Sequence, residues 1–434
     1  MKEKARWLVI FFCFLAIAVN YIDRANLAVA APHIMKDLGI GPAGMGLLLS
    51  GFFWTYAVMQ LPFGWFIDRI GVRIALPLAV GWWSVFTAAT AVASGFAAMF
   101  GCRLMLGAGE AGAYPSCAKL VSQWFGRDER ALATSIYDSG SRTGSALSLP
   151  IVAAIIAALG WKASFVITGV LGAVWILGWI ALYREPAANA AFERRKPAAK
   201  HVAAQSDTAP DAPAIRWSAL FRYRTVWGMM FGFFCLNFVI YFFITWFPSY
   251  LVEVRGFSLK SLGTLGTLPA IASIPGGWFG GWLSDTLVKR GWSTTAARKT
   301  CIVGGMLLSS VITLTAVVPG IYEMLALFAV AYGSLAAAAA SIWSLPADVA
   351  PTPQHVASLA GIQNFASNLA GIALTTFTGV MLQLTKGSFT IPLVVAGVFC
   401  VLGAVNYLFI VGRVEPLDTK RTDAVEPEAY ARHT

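Results

Sequence analysis

The chain has 434 residues, of which 58% are hydrophobic and 12% charged, with a formal net charge of +11 at pH 7. An ordinary water-soluble domain is excluded, because one aqueous core cannot bury that much apolar side chain. The basic residues do not gather into a patch with interleaved aromatics, which excludes a nucleic-acid surface.

A helix crossing the hydrocarbon layer takes about 20 apolar residues, and the chain offers twelve such stretches between short polar breaks. Lipid cannot hydrogen-bond a backbone amide, and alternating barrel segments are missing from the pattern. The expected fold class is therefore an all-α membrane protein.

The first span, near residues 8–32, follows Lys2, Lys4 and Arg6 and carries Tyr21, Asp23 and Arg24. Its basic start, apolar run and small residues Ala28 to Ala31 imitate a signal peptide. Asp23 and Arg24 interrupt the cleavage region, so an uncleaved span is expected. The second span, 43–67, contains Tyr56 and runs into Gly64-Trp65-Phe66-Ile67-Asp68-Arg69-Ile70-Gly71-Val72-Arg73. The third is near 74–94. The fourth, 97–121, carries Arg103 and Glu110, which share one helix face but lie about 10 Å apart in rise, too far for a direct pair. Glu129 and Arg130 follow it. In the fifth span, 131–158, Asp138 and Arg142 are four apart, placed either to pair along the helix or to meet a substrate. The sixth is near 163–183.

Hydropathy then collapses over an Ala-, Pro- and charge-rich stretch at 184–216, which cannot bury a core and reads as a cytoplasmic linker. It divides the spans six and six, giving an N-terminal bundle at 1–183, a C-terminal bundle at 217–412 and a tail at 413–434. Such a plan suggests internal duplication. The later spans lie near 225–252, 261–284, 300–319, 323–346, 356–383 and 389–412. After the eighth, Gly281-Trp282-Leu283-Ser284-Asp285 with Lys289 and Arg290 forms a degenerate copy of the Gly64 loop. Trp343 lies in the tenth span. Asn364 and Asn368, in the eleventh, share a face and suit either substrate contact or helix packing.

Basic residues cluster in alternate loops, while the opposite loops hold only Lys36, Lys162, Arg255, Lys260 and Lys386. By the positive-inside rule both termini are expected in the cytoplasm. The six cysteines have no metal-ligand spacing and read as buried free thiols, and no enzyme signature, metal or cofactor motif is present.

Ionisable residues inside a bilayer are costly and survive mainly in a bundle interior or a wet cavity. Asp23, Arg24, Arg103, Glu110, Asp138 and Arg142 all fall in the first half, whereas matching depths of the second hold neutral groups such as Asn237, Ser341, Gln363 and Asn364. The expectation is that the first half handles charge and protons and the second recognises hydroxyls. Arg24 suits a carboxylate through its planar fork, and Asp23 and Glu110 suit proton carriage. The alternative is that these charges only knit the first and fourth spans together.

The Gly64 to Arg73 loop resembles the signature of the major facilitator superfamily. Asn20-Tyr21-Ile22-Asp23-Arg24, the run from Arg103 to Pro115, Trp124 with Glu129-Arg130, Trp246-Phe247-Pro248 and Asp348 to Pro351 together resemble the anion:cation symporters. That group includes bacterial galactonate, glucarate and hexuronate permeases and, more distantly, sialin and the vesicular glutamate transporters. The resemblance implies twelve transmembrane helices in two six-helix halves, in a bacterial inner membrane. It implies a monomeric proton-coupled symporter importing a small organic anion, foremost a sugar acid, rather than an enzyme. An anion exchanger, a dicarboxylate transporter and a membrane anion receptor remain as alternatives. It also implies substrate contact from Tyr21, Tyr56, Trp343, Asn364 and Asn368; beside these, Arg24, Arg103 and Arg142 are expected to meet the substrate anion, Asp23 and Glu110 to carry protons, and Asp68, Arg69, Arg73, Glu129 and Arg130 to act as a gate. Arg142 departs from the aldonate permeases and leaves room for a second anionic group on the substrate.

Overall fold

The computed structural model describes residues 2–125, 130–183, 217–351 and 355–417. The expected linker and most of the tail lie outside the described residues. Among the described residues there are helices and turns but no strand. Ten helices among the described residues are long and apolar enough to cross a membrane. In chain order the first half contains α1 (Lys2–Leu38), α2 (Pro42–Ile70), α3 (Val72–Thr90), α4 (Phe96–Glu110), α5 (Ala113–Trp124), α6 (Arg130–Leu159) and α7 (Trp161–Leu182). The second contains α8 (Arg224–Thr245), the short α9 (Leu259–Thr264), α10 (Leu268–Lys289), α11 (Thr294–Ser309), α12 (Ile321–Ile342), the short α13 (Leu345–Val349), α14 (Val356–Leu384) and α15 (Thr390–Phe409).

Two expected spans fall short of that length and apolarity, each for a local reason. The fourth is divided at Ala111 and Gly112 into α4 and α5. The eighth starts in irregular turns, and α10 dilutes its apolar content with Gly276, Gly277, Gly280 and Gly281. Elsewhere the helices overrun the spans, as α1 does at both ends, because a polar turn can continue a helix into the headgroup region. The seventh span also changes character: α8 ends at Thr245, and after Trp246 come a turn at Phe247–Ser249 containing Pro248 and a π-helical turn at Tyr250–Val254.

Each half packs through small residues. A Cβ on Gly280 would stand 2.3 Å from the Ala337 carbonyl oxygen, and one on Gly276 at the same distance from that of Gly333, so α10 and α12 touch backbone to backbone. Gly280→Leu is accordingly expected to destabilise the protein by about 3 kcal/mol or more, read as a lowered melting temperature in detergent. In the first half, Gly140 and Gly144 of α6 press in the same way on the carbonyls of Phe14 and Ala18 in α1. The outward faces carry large apolar groups such as Trp278, Trp282 and Phe409, as a surface facing lipid should.

The halves meet near the α1–α2 turn. There α2 lies on α14, with Gly46 against Gly379, while the Ala43 amide donates to Gln383 Oε1 at 3.2 Å. Across the same interface α9 packs on α6, where Gly263 faces Pro150. Toward the opposite end the last cross-half hydrogen bond among the described residues runs from Asn364 Nδ2 to Gln60 Oε1, at 3.2 Å. The halves thus close at one end and stay joined as far as Gln60, about 27 Å along α2.

Candidate functional site

The close approach of α2 and α4 builds the charged wall of this interface. Gly107 allows it, since a Cβ there would lie 2.2 Å from the Phe52 carbonyl oxygen. Arg103 and Glu110, on α4, are thereby brought up to Phe52 and to the middle of α1.

Arg24 Nε donates to Glu110 Oε2 at 2.7 Å. Glu110 is fully buried, whereas the Arg24 side chain keeps 11% of its surface exposed. Three rings surround that guanidinium: Tyr21 at 4.8 Å, and Phe52 and Tyr56 each at 4.5 Å. Phe52 and Tyr56 are themselves stacked at 5.1 Å. One carboxylate and three aromatic faces fix the fork while leaving its exposed edge toward the interface.

Arg103 is buried on the other side of Phe52, 5.5 Å from the ring, and its Nε has no hydrogen-bond partner. Asp23 is 1% exposed, and neither of its carboxyl oxygens has a partner. Glu110 Oε1 and both amide atoms of Asn20 are also unpartnered. Six buried polar atoms without a hydrogen bond thus fall on these four residues, where buried polar atoms are ordinarily paired.

Asp138 and Arg142 form the expected pair along α6, at 3.3 Å, with half-exposed side chains. The Tyr114 hydroxyl donates to the other Asp138 oxygen at 3.1 Å. Across the interface, Tyr241 of α8 packs on Phe53 at 4.6 Å between ring centroids, and its hydroxyl lies 3.1 Å from Ser367 Oγ. Tyr332 stacks on Phe243 at 4.3 Å. Trp343 is three helical turns from Tyr332 on the same face of α12, 55% exposed, with its ring against Phe233. Asn368 Nδ2 donates to the Asn364 carbonyl within α14.

Seven of the ten residues expected to handle substrate or protons thus lie on the first half: Tyr21, Asp23, Arg24, Tyr56, Arg103 and Glu110 form one cluster, and Arg142 lies on the neighbouring α6. Trp343, Asn364 and Asn368 are on the second half, where Asn364 serves as a link between helices. Among the expected gating residues, Arg69 is exposed over the Trp65 ring at 5.4 Å, and Arg73 is exposed at the start of α3. The side chains of Asp68 and Arg130, and Glu129 altogether, lie outside the described residues. The degenerate second loop is tied within its own half: Arg298 bonds Asp348 and Asp285, each at 3.1 Å, and the Ser284 hydroxyl at 2.9 Å.

Sequence reasoning missed Asn20, Gln60, Tyr114 and Tyr241. Gln60 was within reach of it, being one turn from Tyr56 on the same face of α2. Tyr114 stood inside the quoted run from Arg103 to Pro115 but was given no role.

An all-helical membrane protein whose halves enclose a buried charged cluster has the architecture of a transporter. The family comparison agrees: residues 13–297 match the Major Facilitator Superfamily, and the chain belongs to that family. It is 33% identical over 426 residues to a D-galactonate transporter of Escherichia coli O6:H1, covering 95% of this chain and 97% of that one. A probable galactarate/D-glucarate transporter of Escherichia coli strain K12 is 32% identical over 438 residues, 96% of each chain. Among solved structures, a bacterial homologue of the human lysosomal transporter Spinster, inward-facing and unoccupied, matches with a TM-score of 0.76 at 20% identity, covering 94% of this chain and 97% of that one. The fold is that of a transporter, and the protein is not an enzyme.

Proposed function

We propose that this protein is a proton-coupled symporter that imports a small organic anion, foremost a sugar acid of the aldonate, aldarate or hexuronate kind, by alternating access. The observation carrying the proposal is the buried cluster of Asp23, Arg24, Arg103 and Glu110 on the wall facing the second half, with the Arg24 edge left exposed. That edge receives the substrate carboxylate, Arg103 adds positive field, and Tyr21, Tyr56, Trp343, Asn364 and Asn368 supply ring faces and hydrogen bonds for hydroxyls. The buried Asp23 carboxyl forms no ion pair and neither oxygen is hydrogen-bonded, so a proton is a ligand it can exchange. Glu110 exchanges one when Arg24 turns from it to the substrate.

In this reading the chain crosses the membrane twelve times, α4 with α5 counting as one crossing and α10 as another. The halves are 1–183 and 217–412, joined through a cytoplasmic linker at 184–216, and the distribution of Lys and Arg puts both termini in the cytoplasm of a bacterial inner membrane. The sealed α1–α2 end then faces outward, and the arrangement is the inward-facing one. Asp68, Arg69, Arg73, Glu129 and Arg130 latch the cytoplasmic end when the protein turns outward. A monomer suffices for the cycle.

One observation favours a dianionic substrate as a second reading: Arg142 presents a half-exposed guanidinium on a neighbouring helix and has only one contact to Asp138.

The test is uptake of labelled D-galactonate, D-glucarate and a hexuronate into liposomes, with and without an inward proton gradient. Gradient-driven accumulation of at least one is expected. Asp23→Asn is expected to abolish the accumulation while leaving exchange of labelled for unlabelled substrate. If accumulation in the wild type ignores the gradient, the protein is an exchanger and the proton role of Asp23 is wrong.

A further inference from the structure

A cavity of about 860 Å³ lies away from the charged cluster, on the lipid-facing side of the first half between α3 and α7. Its walls are apolar and aromatic, with Leu78, Trp82, Phe86 and Ile180 among them, and several of these side chains are half or more exposed. One end differs. There Arg73 lines the mouth, exposed, with no ion pair or hydrogen bond from its guanidinium to any described residue; only its backbone carbonyl is engaged, by Trp179 Nε1 at 3.2 Å. Trp179 and Tyr183, stacked at 4.1 Å, stand at the same end.

Arg73 and Phe86 are 13 residues apart on α3, so the groove runs about 20 Å along the helix. It begins in the first turn of α3 and ends about one turn short of the far end of that helix. An apolar channel of that length with a free cation at the interfacial end matches one ligand chemistry, a phosphate ester carrying a long acyl chain. On the orientation given above, the mouth opens in the cytoplasmic leaflet, where anionic headgroups meet basic interfacial side chains.

We propose that this groove is a binding site for an anionic glycerophospholipid, its phosphate on Arg73 and one acyl chain between α3 and α7. The proposal rests on the membrane-spanning reading but not on the identity of the transported anion, so either can fail alone. Arg73 would hold the lipid in the inward-facing arrangement and be free for the latch in the other.

Full-length protein in detergent is titrated with phosphatidylglycerol or phosphatidylcholine of identical acyl chains, and bound lipid is counted by native mass spectrometry. The wild type is expected to bind phosphatidylglycerol about tenfold more tightly. Arg73→Gln should bring that lipid down to the phosphatidylcholine level. Gly81→Phe should weaken both, because a Cβ at Gly81 meets nothing nearer than Ile176 Cδ1 at 3.4 Å and the ring then fills the groove without disturbing the backbone. Arg69→Gln, outside the groove, should keep the preference. An Arg73→Gln protein that still prefers phosphatidylglycerol, a Gly81→Phe protein that binds both lipids as before, or equal losses in the two arginine variants would each overturn the assignment.

Discussion

Arg24→Gln is expected to lower substrate uptake by about 100-fold or more and to lower the melting temperature as well. The substitution removes the one salt bridge of Glu110, a fully buried carboxyl whose second oxygen is already unpartnered, and leaves only the unbonded Arg103 nearby. Removing one member of a buried pair typically costs about 3–5 kcal/mol. Stability and transport then separate in the Arg24→Gln/Glu110→Gln double variant. Two neutral amides can bond each other in place of the pair, so the melting temperature should recover most of its loss. Uptake should not recover, because the fork proposed to receive the substrate carboxylate is gone. If the charges served only to knit α1 to α4, the double variant would transport normally, and that result would remove the cluster from the mechanism.

The second large effect is expected at Gly46→Val. A Cβ at Gly46 would lie 2.5 Å from the Thr375 carbonyl oxygen and 3.1 Å from the Gly379 Cα. These are backbone atoms of the opposite half, and they cannot yield as a flexible side chain would. Overpacking of this kind costs up to about 3 kcal/mol, occasionally more, which would reduce the population of the sealed arrangement by about 100-fold. Neither half is altered internally, so the protein should fold, insert and remain arrested in the other arrangement. A cysteine replacing Phe53, which packs on Tyr241 beneath the seal, should react with a membrane-impermeant thiol reagent far faster in the Gly46→Val background. Unimpaired transport by Gly46→Val would show that this contact is not the seal.

The helical membrane fold was legible because lipid leaves a chain so few solutions: once the apolar stretches are counted, the backbone must be helical. Helix breaks were less so. Hydropathy averages over a window, and Ala111-Gly112 interrupts α4 without lowering the average, just as Pro248 and the π-helical turn sit inside a continuous apolar run. In the site, the sequence could assign depth and helix face but not which neighbour a side chain meets. Arg103 and Glu110 lie two turns apart on one helix and are rightly too far to pair, yet nothing along the chain says that the Glu110 partner is Arg24, 86 residues away. That pairing depends on how α4 is seated against α1, beside a contact with α2 that only a missing Cβ at Gly107 permits. Asn364 illustrates the opposite limit, since its periodicity fits a ligand contact and a helix contact equally, and its bond to Gln60 in this arrangement cannot be read along the chain.

The tight seat of α6 on α1 has a mechanical corollary. With Gly140 and Gly144 against the carbonyls of Phe14 and Ala18, these two helices have no slack through which to slide. Arg24 and Arg142 therefore ride one stiff frame, and spin labels attached to α1 and α6 should report an unchanging separation throughout a turnover. On the proposed mechanism a ligand held by that frame would travel with it, and vectorial movement would come from the other half rolling across it.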